Sequence, residues 1–193
     1  MFPLYPRYQP LGQPEPEGTF GFMVELLLKS RLKLHLDAGR FFDEDVNAYM
    51  AGLLVSYIDP SYLQWIQQAL VRYDMDVHQS VIQCGEDRVK TYWIYKVNAD
   101  DLLMSLGVFR KTPSSEPPED EQGEMVRLKR YYHAASDFQK RIYGHSTAVG
   151  DIHSKLAGKA ERYLTILWNT RRDYLQFVQQ LSSDDLHRLQ QED

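Results

Sequence analysis

The sequence predicts an all-α protein, an irregular helical bundle with an N-terminal lobe of short helices and a C-terminal pair of longer helices. Three observations carry that reading. Apolar residues recur at helical spacing through most of the chain, and helix start and stop signals bracket those runs. The two segments of strand-like character have only each other to pair with, and a lone pair of short strands makes a poor sheet.

Residues 1 to 18 hold Pro3, Pro6, Pro10, Pro14 and Pro16 and are predicted to form an extended arm. A helical lobe follows over residues 19 to 110. In it Phe22, Met23, Leu26 and Leu27 imply a helix to about Ser30. Beyond that point Leu32, Leu34 and Leu36 alternate with Lys33 and His35 at a period of two, which suits a strand.

Asp43, Glu44 and Asp45 precede Val46, Tyr49, Leu53 and Tyr57, as acids at the positive end of a helix dipole should. That helix should end at Asp59-Pro60, because the residue before proline is pushed out of the α region. Pro60 then opens the next helix, with Leu63, Ile66, Leu70 and Tyr73 on one side. A shorter helix around Val77 to Gln83 should stop at Gly85.

Residues 88 to 97 are β-branched or aromatic at seven of ten positions. Their only strand partner would be the 32 to 36 run, so a helix is expected there too. Asn98 with Asp100 and Asp101 reads as an N-cap that starts or restarts a helix through Leu102, Leu103 and Leu106.

Residues 111 to 123 contain three prolines and four acids but no hydrophobic residue, and are predicted to be a linker. The segment 124 to 193 should pack on the first lobe, since helices with a single apolar stripe need another surface to cover it. Leu128, Tyr131, Ala135, Phe138 and Ile142 mark its first helix by a 3-4-3-4 spacing. Val149, Ile152, Leu156, Tyr163, Leu167, Tyr174, Val178 and Leu181 mark a second, with a break expected near Gly158. Ser183 with Asp184 and Asp185 would cap a last short helix.

Composition narrows the function. With 43% hydrophobic and 25% charged residues the chain belongs among folded globular proteins. The single Cys84 excludes an intramolecular disulfide and a multi-thiolate zinc site, and favours a reducing compartment. No stretch approaches the roughly 18 apolar residues of a membrane span, and the first residues lack the pattern of a secretory signal, so a cytoplasmic location is expected.

Motifs for chemistry are few. Asp43-x-Asp45-x-Asn47 begins like a calcium loop, but Ala48 and Leu54 stand where glycine and glutamate are needed. The pairs His133 with Asp137 and Asp74 with His78, and Asp184-x-x-His187, read as surface pairs or helix ends, and no metal site is assigned. No nucleophile elbow, phosphate loop or dinucleotide fingerprint occurs. Cys84 reads as a small buried hydrophobe. No catalytic residue and no cofactor is assigned.

Charge is the informative anomaly. Residues 125 to 172 carry ten basic side chains and three acids, a local excess of seven in a chain of formal net charge −5. At about 100° per residue, Lys129, Arg130, His133, Lys140 and Arg141 fall on the face opposite Ala135, with Asp137 among them. These five are the candidate anion-binding residues. Glu116, Glu119, Asp120, Glu121 and Glu124 just precede them and read first as part of a solubilising spacer, with a tethered competitor for that face as the alternative.

The expected function is a helical protein–protein interaction or adaptor module without catalytic activity, with another protein as its partner. The alternatives are anion or nucleic-acid binding through the basic helix face, and an enzyme with an unrecognised site. An isoelectric point near 5.7 weighs against a dedicated nucleic-acid binder. Oligomeric state is left open by the sequence.

Overall fold

The structure, a computed structural model, describes residues 14–34, 43–68, 70–71, 74–109 and 119–175. Among these residues every regular element is helical. In chain order they are α1 (Pro14–Lys33), α2 (Glu44–Ser56), α3 (Pro60–Ile66), α4 (Asp74–Gln83) and α5 (Arg88–Met104). A π-helical turn, Ser105–Phe109, extends α5; then come α6 (Glu119–Tyr143), α7 (Ala148–Gly158) and α8 (Ala160–Tyr174).

The helix that opens the described region is longer than expected at both ends. Pro14 and Pro16 lie in its first turn, where the missing N–H groups have no intrahelical acceptor to lose. The extended reading of residues 14 to 18 is thus corrected, while residues 1 to 13 of the arm lie outside the described residues. At the other end α1 runs through Leu32, and Leu34 still donates to the Ser30 carbonyl at 3.1 Å. The alternation from Leu32 therefore belongs to the helix through Lys33 and to its closing turn at Leu34, while His35 and Leu36 lie outside the described residues. Tertiary contact decides this: Met23, Leu26, Leu27, Ser30 and Arg31 are buried on one side of α1, where it packs on α2 and α8.

Local signals did place several boundaries. Asp59 caps α3 by accepting from the Ser61 N–H at 2.8 Å, and Pro60 follows it. That helix stops at Ile66, so Leu70 lies beyond its end and Tyr73 outside the described residues. Gly85 takes φ of +56° just past α4, and Gly144 takes +75° just past α6, both in the left-handed region that glycine tolerates. The break near Gly158 is present, so the second long C-terminal run is two helices rather than one.

The β-rich segment 88 to 97 is helix, but Asn98 does not start a new one. It lies buried inside α5, where its Nδ2 donates to the Ile94 carbonyl at 2.8 Å and its Oδ1 accepts from the Val71 N–H at 2.9 Å. Its capping chemistry is spent on the chain end leading into α4 rather than on its own helix. The linker expected over 111 to 123 is also shortened. Residues 119 to 123 already belong to α6, and 111 to 118 lie outside the described residues, as does the helix expected after Ser183.

One apolar cluster joins the two halves. Leu27 of α1, Met50 of α2 and Leu103 of α5 meet Leu128 of α6, Leu156 of α7 and Ile166 of α8. The π-helical turn fits against α8 so closely that a Cβ on Gly107 would stand 2.9 Å from both Cβ and Cδ1 of Leu167. Gly107→Ala should therefore destabilise the fold by about 1–2 kcal/mol, overpacking outweighing the better helix propensity of alanine. A Cβ on Gly123 of α6 would meet no other element among the described residues. Gly123→Ala should stabilise by up to about 1 kcal/mol. Urea titrations of the two variants should move in opposite directions, and equal shifts would refute the close fit.

Candidate functional site

The five predicted cations are not one continuous platform. Lys129 pairs with Glu161 of α8. Arg130 is exposed, with its guanidinium 5.6 Å from the Tyr131 ring centre. The exposed His133 stands 3.4 Å from Asp137. These three line an open groove of about 650 Å³ between α6 and α7, whose floor includes Ala134, Ala157 and Gly158. Lys140 and Arg141 lie some ten residues further along, about 15 Å at the helical rise. Arg141 sits over the Phe138 ring at 5.1 Å, and it lines a separate open groove of about 760 Å³ with Arg88 and Asp87.

The tethered competitor is ruled out for most of its acids. Glu119, Asp120, Glu121 and Glu124 belong to the same α6 as the cations, and a continuous helix cannot fold back on itself. Glu124 instead stands 3.7 Å from Arg127, and about 24 Å of helix separates it from Lys140. Glu116 lies outside the described residues.

The start of the apparent calcium loop is used for tertiary pairing. Asp43 Oδ2 accepts from the Tyr163 hydroxyl at 2.7 Å and from Lys159 at 3.1 Å, while Lys155 reaches Asp45 at 2.6 Å. The buried Arg31 donates to the Asp43 carbonyl at 3.3 Å, and Asn47 donates to that of Val24. Burial pushes the Asp43 carboxyl up, but the bonds from Tyr163 and Lys159 and the charges of both lysines outweigh it and hold it below its ordinary value. Among the described residues no three metal-binding side chains come together. Asp184 and His187 lie outside them.

The most connected polar site was not legible as a motif. Asp100, buried in the middle of the bundle, accepts at Oδ1 from Tyr49 at 2.7 Å and from Tyr132 at 2.8 Å. At Oδ2 it accepts from Lys96, 2.5 Å away and one helical turn back on α5. The Lys96 ammonium also lies 5.4 Å from the Trp93 ring centre and 5.6 Å from that of Tyr49. Fully buried His153 closes the network, its Nε2 at 3.3 Å from the Tyr49 hydroxyl. Because that hydroxyl gives its proton to Asp100, Nε2 is the protonated nitrogen and Nδ1 a bare acceptor, without a hydrogen-bond partner among the described residues.

Electrostatics follow from this enclosure. Burial first, then the Asp100 charge, pushes the Tyr49 and Tyr132 hydroxyls well above the usual tyrosine range. Burial lowers His153 to about 4, with Asp100 opposing and Lys96 assisting. The network thus holds a neutral imidazole, stacked on Tyr132, beside an acid–base pair. Only the Lys96 to Asp100 spacing could have been found in the sequence, as an i,i+4 pair.

A row of aromatic rings runs from this interior to the surface. Trp93 meets Trp65 edge-on at 5.6 Å; Trp65 meets Tyr62 at 5.9 Å, and Tyr62 meets Tyr57 at 5.7 Å. Tyr57 then meets Phe109, the last residue of the π-helical turn, at 5.8 Å. Tyr57 also donates to Asp101 at 3.1 Å. At the outer end Phe109 is 58% exposed, and Ile58, which follows Tyr57 in the turn after α2, is 61% exposed, both high for large apolar side chains.

No protein-family model matches this chain, and neither the curated proteins nor the solved structures yield a match. No described helix is long and apolar enough to cross a membrane.

Proposed function

We propose that this chain is a helical protein-interaction module that engages another protein through the outer end of the aromatic row. The observation that supports it is the exposure of Phe109 and Ile58 beside the half-buried Tyr57, Tyr62 and Trp65. Aromatic side chains with a rigid base and an open tip are the typical anchors of interfaces, because they bury much area for little lost freedom. Here the base is the tilted ring-to-ring contacts and the Tyr57 to Asp101 bond. A π-helical turn presents Phe109, and such turns recur at functional sites.

A photo-crosslinking amino acid placed at Phe109 in cells should yield a discrete protein adduct. The same group at Val126, which is equally exposed but on α6, should not. Equal labelling at both positions, or none at Phe109, would remove the basis for this reading.

Anion binding through the basic face has one observation in its favour: Lys129, Arg130 and His133 line a single groove. Its cost is that Lys129 and His133 already face Glu161 and Asp137. If the groove holds a polyanion, Lys129→Gln with Arg130→Gln should lower heparin affinity at low salt and flatten its salt dependence. Unchanged heparin retention would end this second reading.

A further inference from the structure

The outer face of α1 carries a pattern unrelated to the aromatic row. Gly18, Phe22, Glu25, Lys29 and Leu32 are all exposed and follow one another at intervals of four, three, four and three residues. At about 100° per residue they fall within an arc of about 80°, a single stripe directed away from the buried side of the helix. Among the described residues, nothing outside the helix's own backbone and the adjoining residues would come within 4 Å of a Cβ on Gly18 or on neighbouring Gly21. Phe22 and Leu32 are 52% and 58% exposed, so two large apolar side chains stand in solvent at its ends. Between them Glu25 and Lys29 form an ion pair at 2.6 Å.

The order of these residues is self-complementary. Phe22 and Leu32 are equally far from Leu27 along the chain, and so are Glu25 and Lys29. We propose that two copies of this chain associate through α1, with the helices antiparallel across a twofold axis at the level of Leu27. Phe22 then meets the partner's Leu32, and Glu25 meets the partner's Lys29. Both apolar ends are covered twice over by one symmetry operation, and the central charges join into a four-membered network. A parallel arrangement would set Glu25 against the partner's Glu25 and Lys29 against the partner's Lys29, which like-charge repulsion disfavours.

Two helices that touch over three turns bury less than about 1,200 Å², so the dimer is weak and concentration-dependent. Sedimentation from about 10 μM to about 1 mM should show the mass rising towards that of a dimer. Phe22→Glu should raise the concentration of half-association by about tenfold or more, while leaving the circular dichroism spectrum unchanged, since the side chain is outside the core.

Orientation is tested by disulfide trapping in a Cys84→Ser background. Glu25→Cys chains mixed with Lys29→Cys chains should cross-link to each other more readily than either does to itself. A wild-type chain that stays monomeric at about 1 mM overturns the proposal and leaves the stripe to a different partner. Self-linking of Glu25→Cys chains as fast as the mixed reaction overturns the antiparallel arrangement. Neither outcome bears on the aromatic row, which shares no residue with this face.

Discussion

Replacing Asp100 by alanine is expected to cost about 3 kcal/mol of folding stability, the low end of what breaking a buried ion pair costs. The substitution strips the acceptor from Tyr49, Tyr132 and Lys96 at once. Two buried hydroxyls then lose their partner, each at the price of an unsatisfied polar group, and a small cavity opens beside them. Lys96 limits the loss because it keeps a path to water, its side chain being 16% exposed. For a chain of this size the change corresponds to a melting point lower by roughly 6–12 °C. Asp100→Asn keeps an acceptor for the tyrosines but removes the charge facing Lys96, and should cost about 1–2 kcal/mol. Chemical denaturation monitored by circular dichroism separates the two. A loss below about 1 kcal/mol for the alanine variant would show that the network contributes nothing beyond local order.

Acidification should destabilise the protein through His153 well before most carboxylates respond. Its folded pKa is about 4 against an ordinary 6.5, because burial disfavours the imidazolium. A lowered pKa in the folded state means that the unfolded chain takes up the proton first as pH falls. Stability is therefore unaffected above about pH 7, declines through 6.5, and stops declining from this source below about pH 4. The expected loss is about 2 kcal/mol at pH 5 and about 3 kcal/mol at pH 4. The groups facing the ring are Tyr49, Tyr92 and Tyr132, with Asp100 and Lys96 behind them, and Tyr49 and Tyr132, pushed well above the usual tyrosine range, do not titrate in this window. His153→Phe should flatten the stability profile between pH 7 and pH 5 even if it lowers stability overall. A variant whose profile parallels that of wild type would place the sensitivity elsewhere.

Elements whose cause is local were readable in advance. Pro60 after Asp59 separates two helices whatever else surrounds them, because the ring excludes the α conformation from the residue before it. Gly85 and Gly158 stand where chain direction changes, and the spacing of Leu128, Tyr131 and Ala135 marks the buried side of α6. Even the β-rich residues 88 to 97 could be assigned by asking where their backbone partners would come from. Tyr131, read as part of the core seam, is buried as the spacing required.

The misreadings have two origins. Asn98 has the chemistry of a cap, yet its oxygen serves the Val71 N–H, 27 residues away. Pro14 and Pro16 look like breakers until the helix is seen to begin at Pro14 itself. Lys129 looks like an unpaired cation until Glu161 arrives from another helix. Asn98 and Lys129 each depend on a partner outside the span of one helical turn, the range over which caps and periodicity act, whereas the prolines depend only on where the helix begins.

Helix as the element type, the breaks at Pro60, Gly85 and Gly158 and the buried side of α6 were therefore contained in the order of residues, since hydrogen bonds and side-chain neighbours within a helix reach only three or four positions. The polar centre was decided by tertiary structure alone. Tyr49 and His153 are 104 residues apart and meet only when α2 and α7 have packed on the same core. That core excludes water, and the exclusion itself turns two tyrosines, a lysine, an aspartate and a histidine into one coupled network.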